Sequence, residues 1–167
     1  KKESFESSLR TVFTALFSSP HFLYLREKPG RLDDLALANR LSLFLSRTMP
    51  ERKLLSLAYQ GKLTKDPGAL RKETERLLKH DRFDRFLTDF TESWLDLRDI
   101  DFTEPDKKLF PEFDRPLQLF MVEETEAFLR ELIASNLPSS NVVKSDFAML
   151  NERLAEHYEV PGVTGIE

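Results

Sequence analysis

The large apolar residues of segment 81–98 (DRFDRFLTDFTESWLDLR) fall at Phe83, Phe86, Leu87, Phe90, Trp94 and Leu97. Steps of three and four put them on one face of a helix. Asp84, Arg85, Asp89, Glu92 and Asp96 occupy the other face and read as solvated surface. Aromatic stripes at helical spacing fill interiors, so this stripe is expected to form core that flanking helices cover.

Those helices are legible on both sides. Residues 4–18 place Phe5, Leu9, Val12, Phe13 and Leu16 on one face, and Ser-Ser-Pro at 18–20 ends the run, because the residue before proline is pushed out of the α region. HFLYLREKPG (21–30) reads as an apolar connector, with room for a short helical turn at its start. Segment 33–47 opens on Asp33 and Asp34 and is apolar nearly all round, so it is expected to be the central helix. Thr48-Met49-Pro50-Glu51 matches a capping box with proline in the first turn, predicting a helix over about 50–60 that stops at Gly61. Asp66-Pro67 starts another, with Leu70, Leu77 and Leu78 facing inward, which breaks or bends near His80-Asp81.

Residues 99–113 (DIDFTEPDKKLFPEF) form one long irregular acidic loop, since two prolines and alternating acids oppose a helix. A long helix then runs from Asp114 to about 135, with Glu126 and Arg130 spaced for a surface pair. LPSSNVVKS (137–145) is a linker. A last helix over about 146–158 aligns Phe147, Leu150, Leu154 and Tyr158. No alternating strand and no fixed-period repeat appears. The fold class is all-α: an irregular bundle of six or seven helices in a single domain spanning 1–167.

Composition narrows the function classes. A chain of 167 residues that is 40% hydrophobic can bury a real core. Its formal net charge of -4, with both signs interspersed, argues against a nucleic-acid surface. No apolar run approaches the roughly 20 residues of a membrane span. With no cysteine, disulfides, thiolate zinc sites, cysteine nucleophiles and covalent haem attachment within the chain are excluded. The absence of an initial methionine and the ending VPGVTGIE read as a fragment of a longer polypeptide.

Motifs for chemistry are sparse. There is no glycine-rich phosphate loop, no H-E-x-x-H, and no Glu three residues before His21, His80 or His157. No metal site is expected, although three histidines distant in sequence could still meet in space. Carboxylate pairs such as Asp99 with Asp101 and Glu112 with Asp114 are unsurprising among 29 acids and read as a solvated loop. The spacing there does not match an EF-hand. Segments 33–47 and 50–60 superficially resemble helix-turn-helix, but the second becomes leucine-rich and reads as packed core.

NERLAEHY (151–158) is the main polar cluster. Asn151, Arg153, His157 and Tyr158 are the candidate ligand- or partner-binding residues; catalytic residues are not assigned. The alternative is structural: this helix tied to the acidic loop.

With these segments in view, the chain resembles a planctomycete-type helical domain of unknown function found in large exported proteins that often carry a c-type cytochrome domain. The matching phrases are SSPHFLYLRE (18–27), LALANRLSLFLS (35–46), GKLTKDPGALRKETERLLKHDR (61–82), FTESWLDLRDID (90–101), KLFPEFD (108–114) and SDFAMLNERLAEHYEVPGVTG (145–165). Two departures are Ser46, where the resemblance leads one to expect tryptophan, and the turn from Arg47 to Glu51. The resemblance implies a periplasmic or otherwise exported setting, with haem c on another domain and no cofactor held by these residues. It implies other domains of the same parent chain as partners and supplies no catalytic residue.

Three functional expectations follow. The first is a non-catalytic scaffold or docking module. The second is part of a redox or polysaccharide-linked enzyme completed by neighbouring domains, which would require a pocket joining Asn151, Arg153 or His157 to acids of 99–114. The third is a carbohydrate or small-ligand binder, which would require exposed aromatics such as Phe102, Phe110 and Phe113.

Overall fold

Helix capping sets most of the element boundaries. The computed structural model describes residues 4–25, 27, 29–102 and 104–165. Arg26 and Lys28 of the apolar connector, Thr103 of the acidic loop, and both chain ends (1–3, 166–167) lie outside the described residues. Ser4 accepts the Ser7 amide and starts α1 (Phe5–Phe17); Ser19 and Pro20 start the single turn α2 (Pro20–Leu23). Asp33 accepts the Ala36 amide at 2.8 Å to begin α3 (Asp34–Ser46). Asp66 takes the Gly68 and Ala69 amides to begin α6 (Pro67–Leu78). Asp114 takes Leu117 N–H at 2.9 Å to begin α8 (Arg115–Ala134). Each is a side-chain oxygen satisfying an amide that has no intrahelical partner.

The remaining helices are α4 (Arg52–Tyr59), α5 (Lys62–Lys65), α7 (Asp84–Trp94) and α9 (Glu152–His157). Short 3₁₀ turns occur at Asp81–Phe83, Leu97–Asp99 and Ser139–Val142. No strand occurs among the described residues, so the class is all-α. Gly61 sits between α4 and α5 at φ 65°, a left-handed conformation that glycine adopts without a Cβ penalty.

The core lies where α3 meets α4, α5, α6 and α7. Ala38, Leu45, Leu54, Ala58, Leu63, Leu77, Phe83 and Leu87 are buried in one cluster, with Leu129 and Ile133 of α8 packed against it. Small residues on α3, Ala38 and Ser42, are fully enclosed, which lets neighbouring helices approach closely. Away from that cluster, Leu117 of α8 and Leu154 and Ala155 of α9 are buried. The Phe128 and Phe147 rings meet at 5.0 Å.

Several expectations need correction. The helix after Pro50 begins at Arg52, with Glu51 as an N-cap that makes no side-chain cap bond, so the capping box does not form. The Glu51 carboxylate is drawn instead to arginines distant in sequence, and the Thr48 hydroxyl is buried without a partner. The final helix starts at Glu152, not near 146, because Asn151 caps it through the Leu154 amide at 3.0 Å. Phe147 and Leu150 therefore precede the helix. Arg130 makes its ion pair with Asp84 on α7, because α7 and α8 lie side by side, and reaches Glu126 through its charge alone. Although α3 is central, Phe44 on it is exposed.

The aromatic stripe divides. Phe83 and Leu87 are buried, but Phe90 is partly open and Trp94 is 50% exposed. The rings of Phe86, Phe90 and Trp94 stack in succession at 5.4 and 5.3 Å, with Phe44 against Phe86 at 4.9 Å. Helix α7 ends at Trp94, and Asp96 turns the chain at φ 58°. Only the first half of the stripe is covered.

Candidate functional site

A cleft of about 750 Å³ opens between the C-terminal half of α6, the turn at 81–83 and the end of α8. That volume falls within the range of small-molecule sites. Its apolar floor includes Leu78, Phe83 and Ile133. Its charged rim is largely self-neutralised: Arg71 pairs with Glu75 at 2.9 Å, and Arg130 with Asp84. Surface pairs of this kind contribute little stability.

Joined to the cleft lining through His80 is a denser charge network. Glu73 of α6 is 1% exposed, yet its carboxylate meets Lys53 Nζ at 3.2 Å and Arg76 Nε at 2.5 Å. A buried carboxylate survives only with such partners. Arg76 Nη1 reaches on to Glu51 at 3.1 Å, as does Arg82 Nη1. His80 Nε2 lies 3.4 Å from the same carboxylate. Glu51 thus joins the start of α4 to α6 and to the turn before α7. Arg76 Nη2 is buried without a partner. Sequence reasoning missed this network, although one signal was present: Glu73 falls in register between Leu70 and Leu77 on the inward face of α6.

Of the four residues of NERLAEHY singled out from the sequence, Asn151, Arg153 and Tyr158 make internal bonds. Asn151 is buried as the cap of α9. Arg153 Nη2 donates to the Glu112 carbonyl at 2.8 Å and sits 3.5 Å from the Asp114 carboxylate, so it ties α9 to the acidic loop. The Tyr158 hydroxyl donates to Glu124 at 2.9 Å; burial first, and then this acceptor, push its pKa up to about 12. The His157 and Tyr158 rings are 5.3 Å apart.

Asn151 lines a shallow depression of about 270 Å³ with Glu123, Glu124 and Met149. The acids of the loop line a different one, with Asp101, Glu104 and Arg115. Arg153 bridges the two regions through its bonds to Glu112 and Asp114. Of the loop aromatics, Phe102 is 88% exposed and Phe110 is also open. His21, His80 and His157 lie on separate elements. Among the described residues, no three histidine, aspartate or glutamate side chains are grouped to hold a metal ion. No described helix is long and apolar enough to cross a membrane.

At the other end of the chain, α1 has no buried residue. Phe5 is 81% and Val12 61% exposed, and Leu9, Phe13, Leu16 and Phe17 are open along the same side. Its main contact is α2, through ring pairs such as Phe17 with Phe22 at 5.3 Å.

No curated protein and no solved structure matches the chain. A sequence profile described as a protein of unknown function (DUF1592) matches residues 32–160, leaving α1 and α2 outside the matched span. The chain belongs to the DUF1592 family.

Proposed function

We propose that this chain is a non-catalytic helical docking module that other domains of a larger parent protein pack against. The observation that carries the reading is α1: a thirteen-residue helix with no buried residue, whose apolar side is open except where it meets α2. Isolated helices shorter than about 12–15 residues are marginal in water, and an amphipathic one is stabilised chiefly by packing its apolar face. Asn151, Arg153 and Tyr158 support the same reading, because they serve a cap and inter-element bonds.

The setting rests on the sequence resemblance alone. In that setting the parent is periplasmic or otherwise exported, haem c sits on a separate domain, and these residues hold no cofactor. The test is calorimetric titration of this chain with the adjoining domains of the full-length polypeptide. Val12→Glu combined with Phe13→Glu should weaken binding at least about tenfold while leaving the melting temperature unchanged, as expected for exposed positions. Undiminished binding by the variant, or no binding by the native chain, overturns the reading.

A further inference from the structure

The joint between α6 and α7 contains a histidine whose two ring nitrogens have different tasks. His80 Nδ1 accepts the backbone N–H of Arg82 at 3.1 Å and so caps the turn at 81–83. Its Nε2 faces Glu51 Oε1 at 3.4 Å. A ring nitrogen that accepts a hydrogen bond carries no proton. The cap therefore requires neutral imidazole with its hydrogen on Nε2, where it points at the carboxylate.

We propose that His80 is a pH-operated clasp on this joint. Protonation puts an N–H on Nδ1, two donors then face each other, and the Arg82 amide loses its acceptor. The same turn carries Phe83, a core residue and part of the cleft floor, so releasing the cap loosens the wall of the cleft between α6 and α8.

The surrounding charges favour release. Glu51, at the start of α4, faces the ring, but it already binds Arg76 of α6 and Arg82 of the turn at 3.1 Å each. A protonated His80 joins two guanidinium groups around one carboxylate. Glu73 is engaged by Lys53 of α4 and by Arg76. Across the cleft, the carboxylates of Glu75 and of Asp84 on α7 are taken by Arg71 and by Arg130 of α8. Lys79 and Asp81 flank the histidine in the chain and also line the cleft; their opposite charges offset each other.

Amide hydrogen exchange read by NMR tests the clasp, followed from about pH 8 to about pH 5, the interval in which histidine switches. After correction for intrinsic exchange, Arg82 protection should fall at least about tenfold toward acid, while core amides such as Leu45 keep theirs. The ring ¹⁵N shifts should show hydrogen on Nε2 at the alkaline end and on both nitrogens at the acid end. His80→Asn supplies a side-chain oxygen that can accept the amide two residues on and does not titrate, so its Arg82 protection should stay level. A flat Arg82 profile in the native chain while the ring titrates overturns the proposal. So does an acid fall in His80→Asn equal to the native one. If His80→Asn does not fold, the native exchange profile and ring shifts still decide.

Discussion

The Tyr158 hydroxyl and the Glu124 carboxylate join α9 to α8 through a 2.9 Å hydrogen bond. The hydroxyl must be protonated to donate, and its pKa is raised to about 12, by burial first and then by the acceptor carboxylate. A group with a raised folded pKa stabilises below its unfolded value and loses that contribution as pH climbs through the folded one. The contribution is thus intact below about pH 10 and is lost as pH rises through about 12. Tyr158→Phe should cost about 1 kcal/mol at neutral pH, a modest figure because the side chain is partly exposed. Urea denaturation measures the cost, and ultraviolet titration of tyrosinate locates the shifted group.

Asp34 should give the opposite pH dependence. Its carboxylate accepts the Thr64 hydroxyl at 2.7 Å and the Leu63 and Thr64 amides at 2.7 and 3.1 Å. The Thr64 side-chain bond is the largest cause of its lowered pKa, with both amides adding to it against desolvation. A depressed carboxylate stabilises above its unfolded pKa and ceases to as pH falls through the folded one. Asp34→Asn should therefore lower the urea midpoint at pH 7 and show less further loss on acidification than the native chain. Equal acid sensitivity in the two proteins would exclude this assignment.

Asn151 distinguishes a structural role from a ligand-binding one. Asn151→Ala removes the cap of α9 and should cost about 1 kcal/mol, whereas Asn151→Asp keeps an acceptor and should retain most of the stability. Thermal melts of the two variants give the comparison.

Glu73→Ala should be far more damaging than any change to the paired charges on the cleft rim. It leaves Arg76 without its closest carboxylate in a partly buried setting, at a cost of about 3 kcal/mol. Glu75→Ala, which breaks an exposed pair, should cost under about 0.5 kcal/mol. The urea midpoints of the two variants should separate accordingly.

Two apolar truncations should divide in the same way. Leu87 is fully enclosed, so Leu87→Ala should cost about 3 kcal/mol through lost burial and the cavity left behind. Val12→Ser on the open side of α1 should stay within about 0.5 kcal/mol. A large loss at Val12 would show that α1 is already covered.

Legibility followed sequence distance. The caps at Asp33, Asp66 and Asp114 were readable because each bonds an amide two or three residues away. Glu51 was misread because its partners Arg76 and Arg82 lie 25 and 31 residues on. A local capping pattern yields when a carboxylate has two guanidinium groups to answer. Asn151 carried its own local signal, a helix-starting asparagine, which the register of Phe147, Leu150 and Leu154 masked.

By itself, the sequence determined the all-α class, most helix spans and the irregular course of 100–102 and 104–113. Those depend on side-chain periodicity, proline and capping, all of which act within a turn or two of chain. Only the tertiary structure decided which half of each apolar face is covered. It shows Leu87 sealed by neighbouring helices while Trp94, two turns further on, stands half in solvent. It also shows Asn151 capping α9 and Arg153 and Tyr158 bonded to neighbouring segments, while the charges gather at Glu51 and Glu73. Burial and pairing depend on where other helices arrive, and no spacing within one helix encodes that.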